Sequence, residues 1–147
     1  MIGDGGHAKV IQSFSMAEVI AIGDNATRKR VASDWPGRKW DLAVHPTAQV
    51  YGVISEGCVI MANVVVQPGA IIGKHVILNS GCVVDHDCLI EDFAHIAPGA
   101  HLCGNVHVGE GALVGVGVGI EPGVKIPAWS VVKREKYVIS LPSHETV

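Results

Sequence analysis

Aromatic residues are few in this chain, 5% of 147, so its interior must be aliphatic rather than built on stacked rings. Charge is sparse as well. Asp, Glu, Lys and Arg make up 17%, with a formal net charge of −3. No basic stripe follows from such a composition, which argues against nucleic acid as a partner. No apolar run approaches the ~20 residues of a membrane span, because Gly, Asn, His or an acid interrupts every stretch. The opening Met1-Ile2-Gly3-Asp4 lacks the basic and apolar regions of a signal peptide, so a cytoplasmic protein away from membranes is expected. The four cysteines, Cys58, Cys82, Cys88 and Cys103, form no CxxC pair and read as small core residues rather than a zinc or redox site. What the chain does have is 48% hydrophobic content and 18 glycines: enough apolar surface for a core, and frequent turns.

That content is periodic. From Ile54 to Val132 every sixth residue is aliphatic, without a miss: Ile54, Ile60, Val66, Ile72, Leu78, Val84, Ile90, Ile96, Leu102, Val108, Val114, Ile120, Ile126, Val132. Two residues before each lies a small or medium side chain, as at Cys58, Val64, Ala70, Cys82, Cys88 and Ala94. Residues two apart share one face of a strand, so each hexad points one large and one small side chain inward. Three residues after ten of these fourteen aliphatics lie Gly57, Asn63, Gly69, Gly81, Asp87, Gly99, Asn105, Gly111, Gly117 and Gly123, residue types that tolerate positive φ at a sharp corner. Neither a helix nor an ordinary strand has this period. The reading is a mainly β fold: a parallel β-helix of hexapeptide repeats, with three hexads to each triangular coil. The expected prism is nearly five coils and about 22 Å tall.

The N-terminal third has a different texture. Met1-Ile2 reads as a stub of strand, followed by Gly3-Asp4-Gly5-Gly6-His7 and a short helix from Ala8 to about Phe14. Val19 to Ile22 reads as a second strand, and Ala26 to Ser33 as a second helix capped by Asn25 and stopped by Trp35-Pro36. A Gly-rich loop between strand and helix can cradle phosphate. The pattern here is Gly-x-Gly-Gly rather than the full dinucleotide fingerprint, and by itself it reads more simply as a tight turn. The organisation expected is a truncated α/β, nucleotide-sugar-binding-like subdomain over 1–43, the β-helix over 44–132 and a tail over 133–147.

Asn79-Ser80-Gly81-Cys82-Val83-Val84-Asp85-His86-Asp87-Cys88 with Phe93-Ala94-His95-Ile96-Ala97-Pro98-Gly99, and then Gly104-Asn105-Val106-His107-Val108-Gly109, strongly resemble one family. It is the hexapeptide sugar acyltransferases of the sialic acid O-acetyltransferase and bacillosamine-pathway N-acetyltransferase type. Gly3-Asp4-Gly5-Gly6-His7-Ala8-Lys9 and Ile20-Ala21-Ile22-Gly23-Asp24-Asn25 match its N-terminal domain. The resemblance implies a left-handed helix, a homotrimer with sites between subunits, acetyl-CoA as co-substrate and no metal. The acceptor it implies is an amine or hydroxyl of a sugar or nucleotide-sugar. By matching positions His86 looks like the general base and Asp87 like the acid that orients it. His95 looks like a residue near the acetyl group, and Asn79 like a polar residue of the same pocket. Gly104 would offer its N–H to the thioester oxygen, and Gly115 and Gly117 would let the pantetheine arm approach. Gly3, Gly5, Gly6 and His7 would face the substrate.

Two departures stand beside the resemblance. The segment between the first helix and the Ile-Gly-Asp strand is reduced to a few residues, so the parts that would meet a nucleotide base are missing. Such a two-stranded remnant should dock on the β-helix or a neighbouring subunit. The family's last coil and tail are also absent. His75, His101, His107 and His144 read as idle surface histidines, while outward aliphatics such as Val65, Ile71, Ile77 and Leu113 suggest a packing face. The alternatives are a catalytically impaired trimeric β-helix scaffold or binding protein, and a zinc carbonic anhydrase of the same fold, whose histidine spacing does not match.

Overall fold

A computed structural model describes residues 1–133; the tail 134–147 lies outside them. Among the described residues the repeats form sixteen two-residue strands, arranged as three parallel sheets of six, five and five strands. We call these faces 1, 2 and 3. Face 1 carries Ala43–Val44, Val59–Ile60, Ile77–Leu78, His95–Ile96, Leu113–Val114 and Val131–Val132. Corner A leads from face 3 into face 1, corner B from face 1 into face 2, and corner C from face 2 into face 3. Each face is therefore opposite one corner, and face 1 is opposite corner C. The aliphatic and small registers fill the interior as expected, from Cys58 and Ile60 to Val118 and Ile120. All four cysteines are free, and burial pushes the Cys58 and Cys82 thiols up to about 12.

The first coil is shorter than the rest. Val59 pairs with Ala43 and Val65 with Gln49, sixteen residues apart, whereas Leu113 pairs with His95, eighteen apart. The shortened turn is at Tyr51-Gly52, where a Cβ on Gly52 would lie 2.5 Å from Ala70 O. The phase slip explains why the unbroken period begins only at Ile54.

Every sixth residue from Gly57 to Trp129 has positive φ. Ten are Gly, Asn or Asp, as the sequence implies. The other three are His75, Phe93 and Trp129, at φ 53°, 60° and 59°. A bulky residue there costs about 1–2 kcal/mol. All three lie on corner A, in one column with Gly57 and Gly111. The glycines are the gaps the rings fill: a Cβ on Gly57 would collide with the His75 ring, and one on Gly111 with Trp129.

The N-terminal segment packs on face 1 and corner A. It has helices α1 (Gly6–Gln12) and α2 (Asn25–Ser33), plus a single parallel bridge between Ile2 and Ile20. Several boundaries differ from expectation: the strand expected over Val19 to Ile22 is only the bridge at Ile20, and α1 ends at Gln12 rather than about Phe14. Helix α1 starts two residues earlier, and α2 is capped by Asp24, which accepts from Thr27 N at 2.7 Å, rather than by Asn25. Ala8, Ile11, Val19 and Ala21 bury the outward side chains Ala43, Val59 and Ile77 of face 1. Ile77 therefore belongs to the chain's own interior and not to a packing face. Ile71 does stay exposed, in one column with Val53 and Leu89 on face 3.

Along corner A runs a ladder of rings and cations that uses all three tryptophans. Arg38 lies 4.9 Å from the Trp35 ring and 4.6 Å from Trp40. Trp40 meets His75 edge-on at 5.5 Å, His75 stacks on Phe93 at 5.1 Å, and Lys29 sits over both Phe93 and Trp129. His75 is thus buried rather than idle. Among the described residues no helix is long and apolar enough to cross a membrane.

Acid should loosen this docking. Burial, and then Arg28, hold His75 below its ordinary range and His95 down at about 4. A histidine kept neutral in the fold but free to protonate at 6.5 when unfolded contributes stability that is whole above pH 6.5. That stability is lost as pH falls through the folded value. For His95 the loss between pH 6.5 and 4 amounts to about 3 kcal/mol. Thermal unfolding should show Tm dropping across that window, and a flat Tm from pH 7 to 4 would contradict it.

Candidate active site

The histidines of the family-like string have opposite environments. His86 lies at corner C, exposed, with its Nδ1 2.9 Å from Asp87 Oδ2. Its backbone N–H donates to Asp85 Oδ1 at 2.7 Å, which fixes the turn. The hydrogen bond to Asp87, helped by the charge of Asp85, raises the imidazole above its ordinary pKa. Asp87 occupies the positive-φ position, and glycines flank the pair one coil away on either side. A Cβ on Gly69 would collide with Asp87 Oδ1, and a Cβ on Gly104 would lie 2.5 Å from His86 Nε2. The free imidazole nitrogen therefore faces Gly104.

The ladder explains what Gly104 offers. From His75 to Trp129 each positive-φ residue donates its N–H to a carbonyl one coil earlier, as Asn105 does to His86 O. The N–H of the residue before it is unused. Pro68, Pro98 and Pro122 occupy that position without loss, and Ser80, His86 and Glu110 give the N–H to a side chain. Gly104 is buried and its N–H has no acceptor among the described residues.

His95 lies on the opposite side of the prism, its side chain outward on face 1 and buried beneath the N-terminal segment. Asn79 Nδ2 stands 3.1 Å from His95 Nε2, and the His7 ring meets His95 edge-on at 5.5 Å. His7 is seated against Gly23, where a Cβ would come within 2.7 Å of the ring. Burial, then Arg28 and then His7, push His95 down to about 4; burial and then Arg28 lower His7. Both rings are neutral near pH 7.

The Gly loop adjoins this pair. A cavity of about 290 Å³ is lined by Gly3, Asp4, Gly5, Gly6, His7, Ala21, Ile22 and Gly23. A second, of about 340 Å³, shares Gly6 and His7 and reaches Asn79 and Ser80 at corner B. Gly3 is explained by the fold, at φ 119° and with a Cβ position 2.8 Å from Ala21 O. Gly5 and Gly6 are not, since a Cβ on either would meet open space. Gly115 and Gly117 stand at corner B, two coils beyond Asn79 and Gly81. Gly117 has positive φ, and the missing Cβ of Gly115 makes way for Val132 O at 2.8 Å, so both serve the chain's own turns.

The chain therefore holds two groups. Gly3, Gly5, Gly6, His7, Asn79, His95, Gly115 and Gly117 gather at face 1 and corner B, while His86, Asp87 and Gly104 stand opposite at corner C. Sequence reasoning missed Arg28 and Gly23 behind His7 and His95. The only available signal was the three-residue spacing of Asn25 and Arg28 on α2. It also read His107 as idle, yet His107 Nε2 lies 2.6 Å from Glu91 Oε1 on face 3. Among the described residues no three His, Cys, Asp or Glu side chains converge as metal ligands.

Residues 51–86 match the model of the bacterial transferase hexapeptide family (six repeats). No curated protein matches the chain. Among solved structures, PerB from Caulobacter crescentus in complex with CoA and GDP-perosamine is 31% identical with a TM-score of 0.80. That match covers 91% of this chain and 87% of that one. The acetyltransferase domain of PglB from Neisseria gonorrhoeae, in complex with acetyl coenzyme A, is 31% identical with a TM-score of 0.76, over 89% of this chain and 70% of that one. With its unbroken hexads and this similarity over most of its length, the chain belongs to the hexapeptide-repeat sugar acyltransferases.

Proposed function

We propose that the protein transfers an acetyl group from acetyl-CoA to an amine or hydroxyl of a nucleotide-linked sugar, with His86 as general base. The observation that carries this reading is the His86–Asp87 pair on an exposed corner, with an unclaimed Gly104 N–H one coil away. The acceptor class is supported by the similarity to a perosamine N-acetyltransferase bound to CoA and GDP-perosamine. Acetyl-CoA supplies an activated acyl group as a thioester. His86 Nε2 takes the proton of the attacking amine or hydroxyl and returns it to the departing thiolate. Asp87 holds the ring through Nδ1 and stabilises its cationic form. Gly104 N–H would donate to the thioester oxygen as charge builds there, a contribution of about 10²–10³ in rate for such a donor.

In this reading the two groups of residues meet across subunits. Corner C of one copy faces face 1 and corner B of the next, and three such head-to-tail contacts close a ring. The exposed column Val53, Ile71 and Leu89, flanking corner C, supplies apolar surface for that contact.

Thiol release from acetyl-CoA with a panel of amino-sugar nucleotides tests the activity. His86→Ala should cut turnover by about 10²–10⁴. Absence of turnover in the parent protein, with no effect of His86→Ala, would leave a scaffold instead. A second test uses pH. Because Asp87 raises the His86 pKa, kcat/KM should climb with pH along a limb centred above 6.5 as the neutral base appears. Asp87→Asn should move that limb to lower pH while slowing the reaction; identical limbs would remove Asp87 from its role.

A further inference from the structure

Arg28 is the most buried charged side chain described, at 1% exposure, and among the described residues it has no carboxylate partner. Its acceptors are mostly backbone carbonyls. Nε donates to His75 O at 2.8 Å; Nη1 donates to Ile22 O at 2.8 Å and Gly23 O at 3.3 Å. Nη2 donates to Asn25 Oδ1 and Phe93 O, both at 2.7 Å, and to Ala94 O at 3.3 Å. Asn25 Nδ2 in turn donates to Gly111 O at 3.0 Å. His75, Phe93 and Gly111 are successive members of the positive-φ column of corner A, and the coil-to-coil ladder leaves their carbonyls unbonded. One fork therefore joins two separate pieces of backbone. Ile22 and Gly23 form the wall against which His7 sits; Phe93 and Ala94 lead directly into His95.

We infer that Arg28 is a positioning residue for the acceptor side of the site: by bridging Ile22-Gly23 to Phe93-Ala94 it sets the slot in which His7 packs against His95, and so fixes the Gly5–His7 loop relative to Asn79. The inference rests on the acetyl-transfer reading for its kinetic consequence but not for its geometry. A guanidinium suits the task because its planar donors reach several carbonyls at once, whereas an ammonium is a point donor. Burial first, and then the same charge, keep both rings neutral beside it.

The test compares Arg28→Lys and Asn25→Ala with the parent. Lysine keeps the charge but cannot span both carbonyl pairs. In a folded Arg28→Lys protein, assayed well below its Tm, the acceptor KM should rise at least about ten-fold with kcat changed less than about three-fold, the signature of lost binding. The His7 and His95 imidazole resonances should shift. A lower Tm with KM, kcat and both resonances unchanged would make Arg28 merely structural and overturn the inference. Asn25→Ala leaves every carbonyl contact of Arg28 in place, so its KM should rise by less than about three-fold. A rise of about ten-fold or more there would assign the effect to docking of α2 and overturn the inference, whether or not Arg28→Lys folds. If the parent protein turns over no acceptor, the functional reading fails, while unchanged imidazole resonances in Arg28→Lys would separately defeat this one.

Discussion

Stacking at an interval of eighteen residues is the constraint from which the other features follow. Each residue lies directly against those one coil before and after it, so a bulky corner side chain needs a gap in its column. The chain provides such gaps in pairs: Gly57 with His75, Gly69 with Asp87, Gly104 with His86, Gly111 with Trp129. These glycines are not merely turn formers. Two of them make room for the His86–Asp87 pair, and two let aromatic rings line corner A, where the N-terminal segment docks.

The ladder that enforces this stacking also leaves a fixed remainder. In every turn one N–H and one carbonyl are not required by the neighbouring coils. Where the turn meets solvent, proline, side-chain caps and water absorb that remainder. At corner A the spare carbonyls of His75, Phe93 and Gly111 lie beneath the N-terminal segment, and Arg28 with Asn25 supplies their donors. A buried cation without an anion is ordinarily costly. Here a set of carbonyl dipoles offsets much of the lost hydration, and Arg28, lowered to about 10 by burial, remains charged at neutral pH. The spare N–H of Gly104 at corner C is the same remainder with the opposite sign, left without an acceptor beside an imidazole and, in the proposed reaction, a donor to the thioester oxygen. Two histidines nine residues apart thereby acquire divergent character. His86, exposed and hydrogen-bonded to a carboxylate, is made more basic; His95, buried near a guanidinium, stays neutral into acid. Such divergence between titratable groups is what acid–base chemistry at one pH requires.

The sequence made the periodic part legible because period and environment are the same thing in this fold. Ile60, Ile72 and Leu78 are core for the reason that they are six apart, and Asp87 and Asn105 are corners for the reason that they follow by three. What breaks the period was hidden. The sixteen-residue first coil leaves no mark except a late start of the repeat. His75, Phe93 and Trp129 sit at corner positions that favour glycine, and only the rings stacked around them make this tolerable. Arg28 resembles any other basic residue of a short helix, since its partners are carbonyls and carbonyls have no sequence signature. The separation of His86 from His95 was contained in the numbering: nine residues is half a coil, which puts them on opposite sides of the prism.

That half-coil offset and the small N-terminal segment belong to one problem. Two short helices and a single parallel bridge bury too little to stand alone, so the segment takes its stability from face 1 and from the ladder of corner A. The surface it covers is the one that carries His95. Docking therefore creates the buried, neutral imidazole and places the Gly loop beside it, whereas His86, on the side the segment never reaches, depends only on its own turn and the coils above and below. One half of the proposed site is built by the repeat alone. The other half exists only while the appended segment holds its place.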